Sequence, residues 1–321
     1  MLKERFFWIG LIIVVCSMIG NYLYFQSKQL TLPIFLKHYY ETQVYEDGNQ
    51  LQFYYLNNKE NPVDVSYVSI DGVLLNPVNV PKFPTSYDEN YRPNIEQNFT
   101  HHTLESVNFR FPEYAIPVKV GSDDVWTFNN MKVTFTNGKT IDVNIGEVRV
   151  YGKPPANEAL NNTYSSSSNQ NFSQWYAAAT KPLTIEGIST PFSNQIGTDL
   201  FIKLFAGPDI TTQDDMNTFS QVPKWYNDEF LSDVHLEDLE GTSLNEELFP
   251  IHLNESDFIK LYIYFNPESS YIFDFYITVY GSTDDGEPFE YAVPINASNA
   301  PYLKEDDVNK LIEERMGGLN K

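Results

Sequence analysis

MKVTFTNGKTIDVNIGEVRV, residues Met131 to Val150, reads as a strand, a turn and a strand. Met131–Thr136 and Thr140–Val150 flank Asn137-Gly138, the strongest short-range hairpin signal in the chain, because a type I′ turn needs positive φ at both central positions. Once this pair is read as β, its neighbours fall in with it. Leu51–Leu56 (LQFYYL) is apolar and aromatic between the turn signals Asp47-Gly48-Asn49 and Asn57-Asn58. Asp64–Ile70 (DVSYVSI) alternates up to Asp71-Gly72 and is expected to pair with Leu51–Leu56 as a hairpin. Val107–Phe111 and Tyr114–Val120 add further strands. About seven short strands without a helical period predict an immunoglobulin-like β-sandwich over residues 29–152.

Within it, Asn76–Thr103 is long and rich in Pro, Asn and Tyr, which marks a loop of possible functional weight, with Tyr87, Tyr91 and Phe99 as candidate binding-surface aromatics. Residues 153–182, with Pro154-Pro155 and Ser165–Ser168, have too little apolar content to offset chain entropy and read as a flexible linker. Trp175, Tyr176 and Ala177–Ala179 are expected to form a short helical turn at its end. A second sandwich is expected over 183–298, from Leu183–Ile188, Leu200–Phe205, Phe258–Phe265 (FIKLYIYF), Tyr271–Tyr280 and Glu287–Ile295, the last two joined across Asp284-Asp285-Gly286. Between them Asp209–Asp257 turns strongly acidic, Lys224 being its only Lys or Arg, and Trp225 and Tyr226 are its candidate binding aromatics. Residues 299–321 read as a helical tail with Val308, Leu311 and Ile312 at helical spacing and Gly317-Gly318 at its end, its narrow apolar stripe expected to pack on the second domain, with partner binding as the alternative.

Toward the amino terminus stands a segment of another kind, Phe6 to Phe25 (FFWIGLIIVVCSMIGNYLYF). Some twenty uncharged residues of helix rise roughly 30 Å, the thickness of a bilayer's hydrocarbon core. Its length and the lack of an Ala-x-Ala site favour a retained anchor over a cleaved signal peptide, with residues 1–28 as the cytoplasmic end and transmembrane unit. Lys3 and Arg5 ahead of it place the amino terminus in the cytoplasm and the bulk outside. Cys16, the only cysteine, lies inside this run behind Val15, which does not suit lipid modification, so the outer region has no internal disulfide. The fold class is therefore all-β: a transmembrane helix, two immunoglobulin-like antiparallel sandwiches and a short C-terminal helix.

The formal charge of −22 over 321 residues argues against a nucleic-acid partner, since phosphate backbones are held by clustered Lys and Arg. The five histidines read as ordinary surface residues; no zinc spacing, phosphate-binding loop, dinucleotide fingerprint or Gly-x-Ser-x-Gly elbow occurs. No cofactor is implied. Calcium is the better metal hypothesis, with Asp214 and Asp215 in the acidic segment and Asp284, Asp285 and Glu287 beside Gly286 as weak candidates, although neither group has the EF-hand spacing. The 43 acidic residues make some carboxylate pair at glycosidase distance inevitable, so their number carries no argument for hydrolysis. The reading is a membrane-anchored, extracytoplasmic binding or structural module with a protein or glycan partner. A regulatory subunit contacting its partner through the anchor helix, and a wall-directed hydrolase using paired carboxylates, are the alternatives.

Overall fold

The computed structural model describes residues 2–46, 48–78, 94–112, 116–153, 155, 158–167, 172–207, 223, 225, 239–297 and 301–318. The protein is mostly β, with antiparallel sheets behind an apolar N-terminal helix, α1 (Leu2–Lys28). From Phe6 to Lys28 this helix is long and apolar enough to cross a membrane, and none of its hydropathic window is buried in the body.

Three sheets follow. A four-stranded sheet has the order β1 (Ile34–Phe35), β3 (Asn49–Asn58), β7 (His102–Phe111), β6 (Ile95–Asn98). A five-stranded sheet runs β10 (Leu160–Ser167), β11 (Phe172–Ala179), β16 (Phe258–Phe265), β13 (Leu200–Gly207), β14 (Thr242–Ser243). Between them a nine-stranded sheet runs β15 (Ile251–Leu253), β12 (Leu183–Ser189), β17 (Tyr271–Thr283), β2 (Lys37–Gln43), β9 (Thr140–Tyr151), β8 (Val125–Phe135), β4 (Val65–Ile70), β5 (Val73–Leu75), with β18 (Pro288–Ala297) on β17. Its central strand β2 is parallel to β9 on one side and to β17 on the other, so the second strand after the helix is the seam between early and late parts of the chain.

Period-two alternation along β2 sends neighbouring residues to opposite cores. Tyr40 belongs to a first core, with Phe53, Leu104, Phe109, Val133 and Val148, and Tyr39 belongs to a second, with Trp175, Ile185, Ile263, Phe273 and Phe275. On β17, Ile272 faces the first core and Phe273 the second. The four- and five-stranded sheets thus cover opposite faces of the nine-stranded one, at its two ends.

Several expectations are corrected. Residues 160–167 and 172–179 of the expected linker are β10 and β11. Trp175, Ala177 and Ala179 point inward at strand period, and alanines fit a strand paired on both edges, so no helical turn forms there. β3 and β4 do not form a hairpin: they lie in different sheets, and Asn57 holds the crossing chain by bonding both the N–H and the C=O of Val63. In Tyr114–Val120 the described residues 116–120 are irregular. The turn chemistry also moved. At Asn137-Gly138 only the glycine has positive φ, +79°, which makes a turn with a left-handed glycine in place of type I′. The positive pair lies instead at Asp71 (+48°) and Gly72 (+86°), between β4 and β5.

The C-terminal helix α3 (Glu305–Gly318) packs on the first core, through Leu303 and Val308 with Leu311 and Ile312 alongside, and not on the late part of the chain. Gln97 brackets the backbone of Leu303, its amide taking the N–H at 3.1 Å and donating to the carbonyl at 2.5 Å. Two histidines expected at the surface are buried. His38 is fully enclosed, and its Nε2 accepts the N–H of Tyr54 at 2.9 Å, so the ring is neutral with its proton on Nδ1. Burial pushes its pKa down to about 3. His102 bonds the carbonyl of Lys28 at 2.9 Å and so caps the last turn of α1.

Candidate functional site

The nine-stranded sheet forks along β17. Residues 271–274 pair with β2, residues 278–283 pair with β12, and the stretch between has no strand on that edge. An unpaired backbone N–H in such a gap needs a partner, and the side chain of Glu41 supplies it: Oε2 accepts the N–H of Tyr276 at 3.2 Å. Its Oε1 accepts the Tyr151 hydroxyl at 2.8 Å and Arg149 Nη1 at 3.2 Å. Arg149 in turn donates through Nε to Glu147 Oε1 at 2.7 Å, with Nη2 2.6 Å from the same oxygen. Glu41 on β2 and Glu147, Arg149 and Tyr151 on β9 share one face because 41 is in register with 149.

Around this cluster lies a pocket of about 230 Å³, lined by Glu41, Arg149, Tyr151, Pro155, Thr190 and Pro191, with Ser189, Tyr276 and Thr278 completing the rim. One face of the Arg149 guanidinium rests on the ring of Phe192, 4.5 Å from the centroid. Phe192 also meets Tyr39 and Phe275, and it has φ +56°, a left-handed conformation costly for an aromatic residue. Burial, then the charge of Glu41, pushes the Tyr151 hydroxyl up to about 12, and burial leads the same shift in Tyr276. Both phenols stay protonated at neutral pH. Glu41 thus carries three donors, Tyr151 and Arg149 on one oxygen and the Tyr276 N–H on the other. The arrangement can hold a ligand.

The residues named from sequence lie elsewhere. Phe99 is buried in the first core, because its N–H is held by the carbonyl of His102 and the turn folds its ring inward; it is no surface anchor. Trp225 is half-buried, donating Nε1 to the carbonyl of Thr198 at 2.6 Å and packing 5.4 Å from Tyr264 on the outer face of the five-stranded sheet. Tyr87, Tyr91, Tyr226, Asp214 and Asp215 lie outside the described residues. Asp284, Asp285 and Glu287 form the β17–β18 turn: Thr283 donates its N–H to the Glu287 carbonyl and Asp285 stands 4.0 Å from Lys181. Among the described residues no group of three or more His, Cys, Asp or Glu side chains converges to hold a metal ion. Phe6 and Phe25 lie on α1, Phe6 exposed and Phe25 partly covered by the ring of His101 at 6.0 Å. Glu41, Arg149, Tyr151 and Phe192 were not singled out from sequence. The one legible signal was Glu147-x-Arg149-x-Tyr151, a polar face at strand period opposite Val148 and Val150.

Comparison with protein-family models and with curated proteins returns no match. Two solved structures show a weak likeness. One is the collagen-binding domain of the Erysipelothrix rhusiopathiae surface protein RspB, at 9% identity and TM-score 0.22 over 82% of this chain and 94% of that one. The other is a protein of unknown function from Porphyromonas gingivalis W83, at 10% identity and TM-score 0.16 over 82% and 95%. Function is argued below from this chain's own residues.

Proposed function

We propose that this chain is a membrane-anchored, outward-facing binding module, made of two immunoglobulin-like sandwiches that share the nine-stranded sheet, and that it is not an enzyme. The observation that carries the reading is the joint between α1 and the body. The helix continues to Lys28, where His102 takes its last-turn carbonyl. Two residues on, Asn58 accepts the N–H of Leu30 and donates to its carbonyl, both at 2.8 Å. Leu30 and Phe35 then enter the first core, and Tyr24 and Phe25 meet His101. A segment destined for removal has no reason to be capped by the folded domain; a retained anchor does. Tyr22, Tyr24 and Phe25 at the body end suit the headgroup level, and Lys3 and Arg5 suit a cytoplasmic amino terminus.

The division of labour follows from the seam. Residues 29–152 carry the anchor joint and most of the first core, the later strands most of the second, and β10 and β11 add to the second a pair of strands that the linker reading leaves out. The pocket at the fork is bordered by both parts, as binding sites between domains are. The test is retention. Full-length chain in lipid nanodiscs is immobilised and offered membrane and wall extracts; a protein or glycan retained against empty nanodiscs supports the reading. Retention of nothing by the folded chain, or turnover of wall polymer in the same mixture, contradicts it.

A further inference from the structure

We infer that the foot of the body is a lipid-contact surface, in which the turn between β6 and β7, together with Lys28, Lys59 and Tyr302, sits among phospholipid headgroups and binds their phosphates. This deepens the proposed reading and rests on its membrane anchor. The first argument is the shortness of the tether. α1 runs to Lys28, and Leu30, two residues on, is already in the first core with its N–H and its carbonyl both held by Asn58. Three residues of helix beyond Phe25 rise about 4.5 Å, and two residues of extended chain reach about 7 Å at most. The headgroup layer is itself roughly 5–7 Å deep on each side of the hydrocarbon core. A body tied this close to the end of the span stands in that layer or against it.

The second argument is what the body presents there. The turn at residues 99–101 brings the ring of His101 to 6.0 Å from both Tyr24 and Phe25, the rings that mark the interface on α1. The turn is held by the His101 carbonyl, which accepts the N–H of Lys59 at 3.0 Å. Lys28 Nζ lies 5.7 Å from the centre of the same Tyr24 ring, so an ammonium and an imidazole flank one residue at the end of the span. The exposed Lys59 reaches the Phe99 carbonyl at 3.3 Å, and neither lysine has a carboxylate at ion-pair distance among the described residues. The acids nearby are Glu60 and Glu305, and the Glu305 carboxylate already accepts the N–H of Thr100 at 3.2 Å. In a chain with 43 acidic residues against 21 Lys and Arg, donors gathered at this level fit the anionic group that occupies it, the lipid phosphate. The third observation is Tyr302. It is 69% exposed, more than any other large apolar side chain among the described residues, and its neighbour Leu303 is tied by Gln97 to β6, the strand that enters the turn. A single bare phenol is ordinary on a surface; one beside the foot of a span has the position of an interfacial tyrosine, with its ring toward the acyl boundary and its hydroxyl among the headgroups.

The test uses the full-length chain in phosphatidylcholine nanodiscs. With lysine and histidine labelled in their side-chain nitrogens, dephasing by lipid phosphorus in solid-state NMR reads contact with phosphate. Lys28→Gln and His101→Phe, the second of which keeps a ring against Tyr24 and Phe25, assign the two signals. The expected result is dephasing of both, with none at Lys181 on the late part of the chain. Depth is read independently, in a Cys16→Ser background, from nitroxides attached at Tyr302→Cys and at Tyr164→Cys, the tyrosine at 164 being 53% exposed on β10. A gadolinium-bearing headgroup relaxes the label at 302 several-fold more than the label at 164. A chain that stays in the nanodiscs with no dephasing at His101, or with the two labels relaxed equally, overturns the lipid contact and leaves the anchor standing. Dephasing at Lys28 alone counts with that result, since a lysine at a helix end reaches phosphate without help from the body. A chain that separates from the nanodiscs removes the anchor, and this surface with it.

Discussion

The first core carries buried polar chemistry and the second is nearly dry. In the first, Glu105 is fully buried and accepts from Tyr55 at 3.0 Å, Asn57 at 3.1 Å and Thr103 at 2.9 Å, while His38 takes the N–H of Tyr54 a few residues away. In the second, Trp175, Ile185, Ile263, Phe265, Ile277 and Val279 pack with little but apolar contact, and the buried Lys203 lies on the outer side of the five-stranded sheet, donating to the Leu239 carbonyl at 2.6 Å. The difference follows position. The first core receives the chain from α1 and must fix its strands in one register beside the anchor, which hydrogen bonds do because only one register satisfies them. The second core has no such incoming constraint, and burial alone holds it.

The sharpest way to break this contrast is to remove the polar centre. Glu105→Ala strands three buried donors and is expected to cost on the order of 3–5 kcal/mol in denaturant unfolding. Ile263→Val in the dry core, measured alongside, should cost about 1 kcal/mol. Equal losses would erase the distinction. Next in size is Gly146→Ala on β9. Its φ is +101° and an added Cβ would stand 2.1 Å from the carbonyl oxygen of His38, so the β2–β9 seam must open, at roughly 2–3 kcal/mol. Hydrogen exchange should then rise along β2 and β9 before it rises in β16.

The pH dependence sharpens the contrast further. His38 has a folded pKa of about 3, below its ordinary 6.5, so the unfolded chain binds the extra proton and stability is lost as pH falls from about 6.5 toward 3. Asp274, on the first-core face of β17 beside Tyr40, has its carboxyl pushed by burial up to about 7. There the folded chain binds the extra proton, so stability is lost as pH rises from about 4 toward 7. The two slopes oppose each other over nearly the same window and leave the natural chain with a shallow profile. His38→Gln, which keeps an acceptor for Tyr54, should expose the falling slope, and Asp274→Asn the rising one. Urea midpoints between pH 4 and 7 decide it; parallel profiles for both variants would refute the assignment.

The smallest expected effect concerns hairpins. Asp71→Ala removes a residue with left-handed backbone and an acceptor for Trp126 Nε1 at 2.8 Å, for about 1–2 kcal/mol. Asn137→Ala, at a position without positive φ, should cost about half a kcal/mol or less. Thermal melts of the two variants rank them.

How much of this was legible follows from the kind of signal. Strands with clear turns, such as Leu51–Leu56, Thr140–Val150 and Phe258–Phe265, all fall within observed strands. β10 and β11 were hidden because their Ser, Asn and Ala composition imitates a linker, and only the inward period of Trp175, Ala177 and Ala179 betrays them. The seam was not legible at all: parallel pairing of β2 with β9 and β17 joins residues more than a hundred positions apart, and no local pattern encodes it. For the same reason the candidate site was missed. Glu41, Arg149 and Phe192 are distant in sequence and ordinary in composition, while the aromatics that stood out, Phe99 and Trp225, were conspicuous because they pack.

The account turns on α1 staying attached to the body it is capped by. Intact mass and N-terminal sequencing of the protein recovered from washed membranes measure this directly. The expected species keeps the Phe6–Phe25 segment ahead of the body and resists alkaline extraction, with Asn58→Ala and His102→Ala loosening the joint without releasing the protein. A mature form that begins beyond Phe25 and leaves the membrane in carbonate would contradict it.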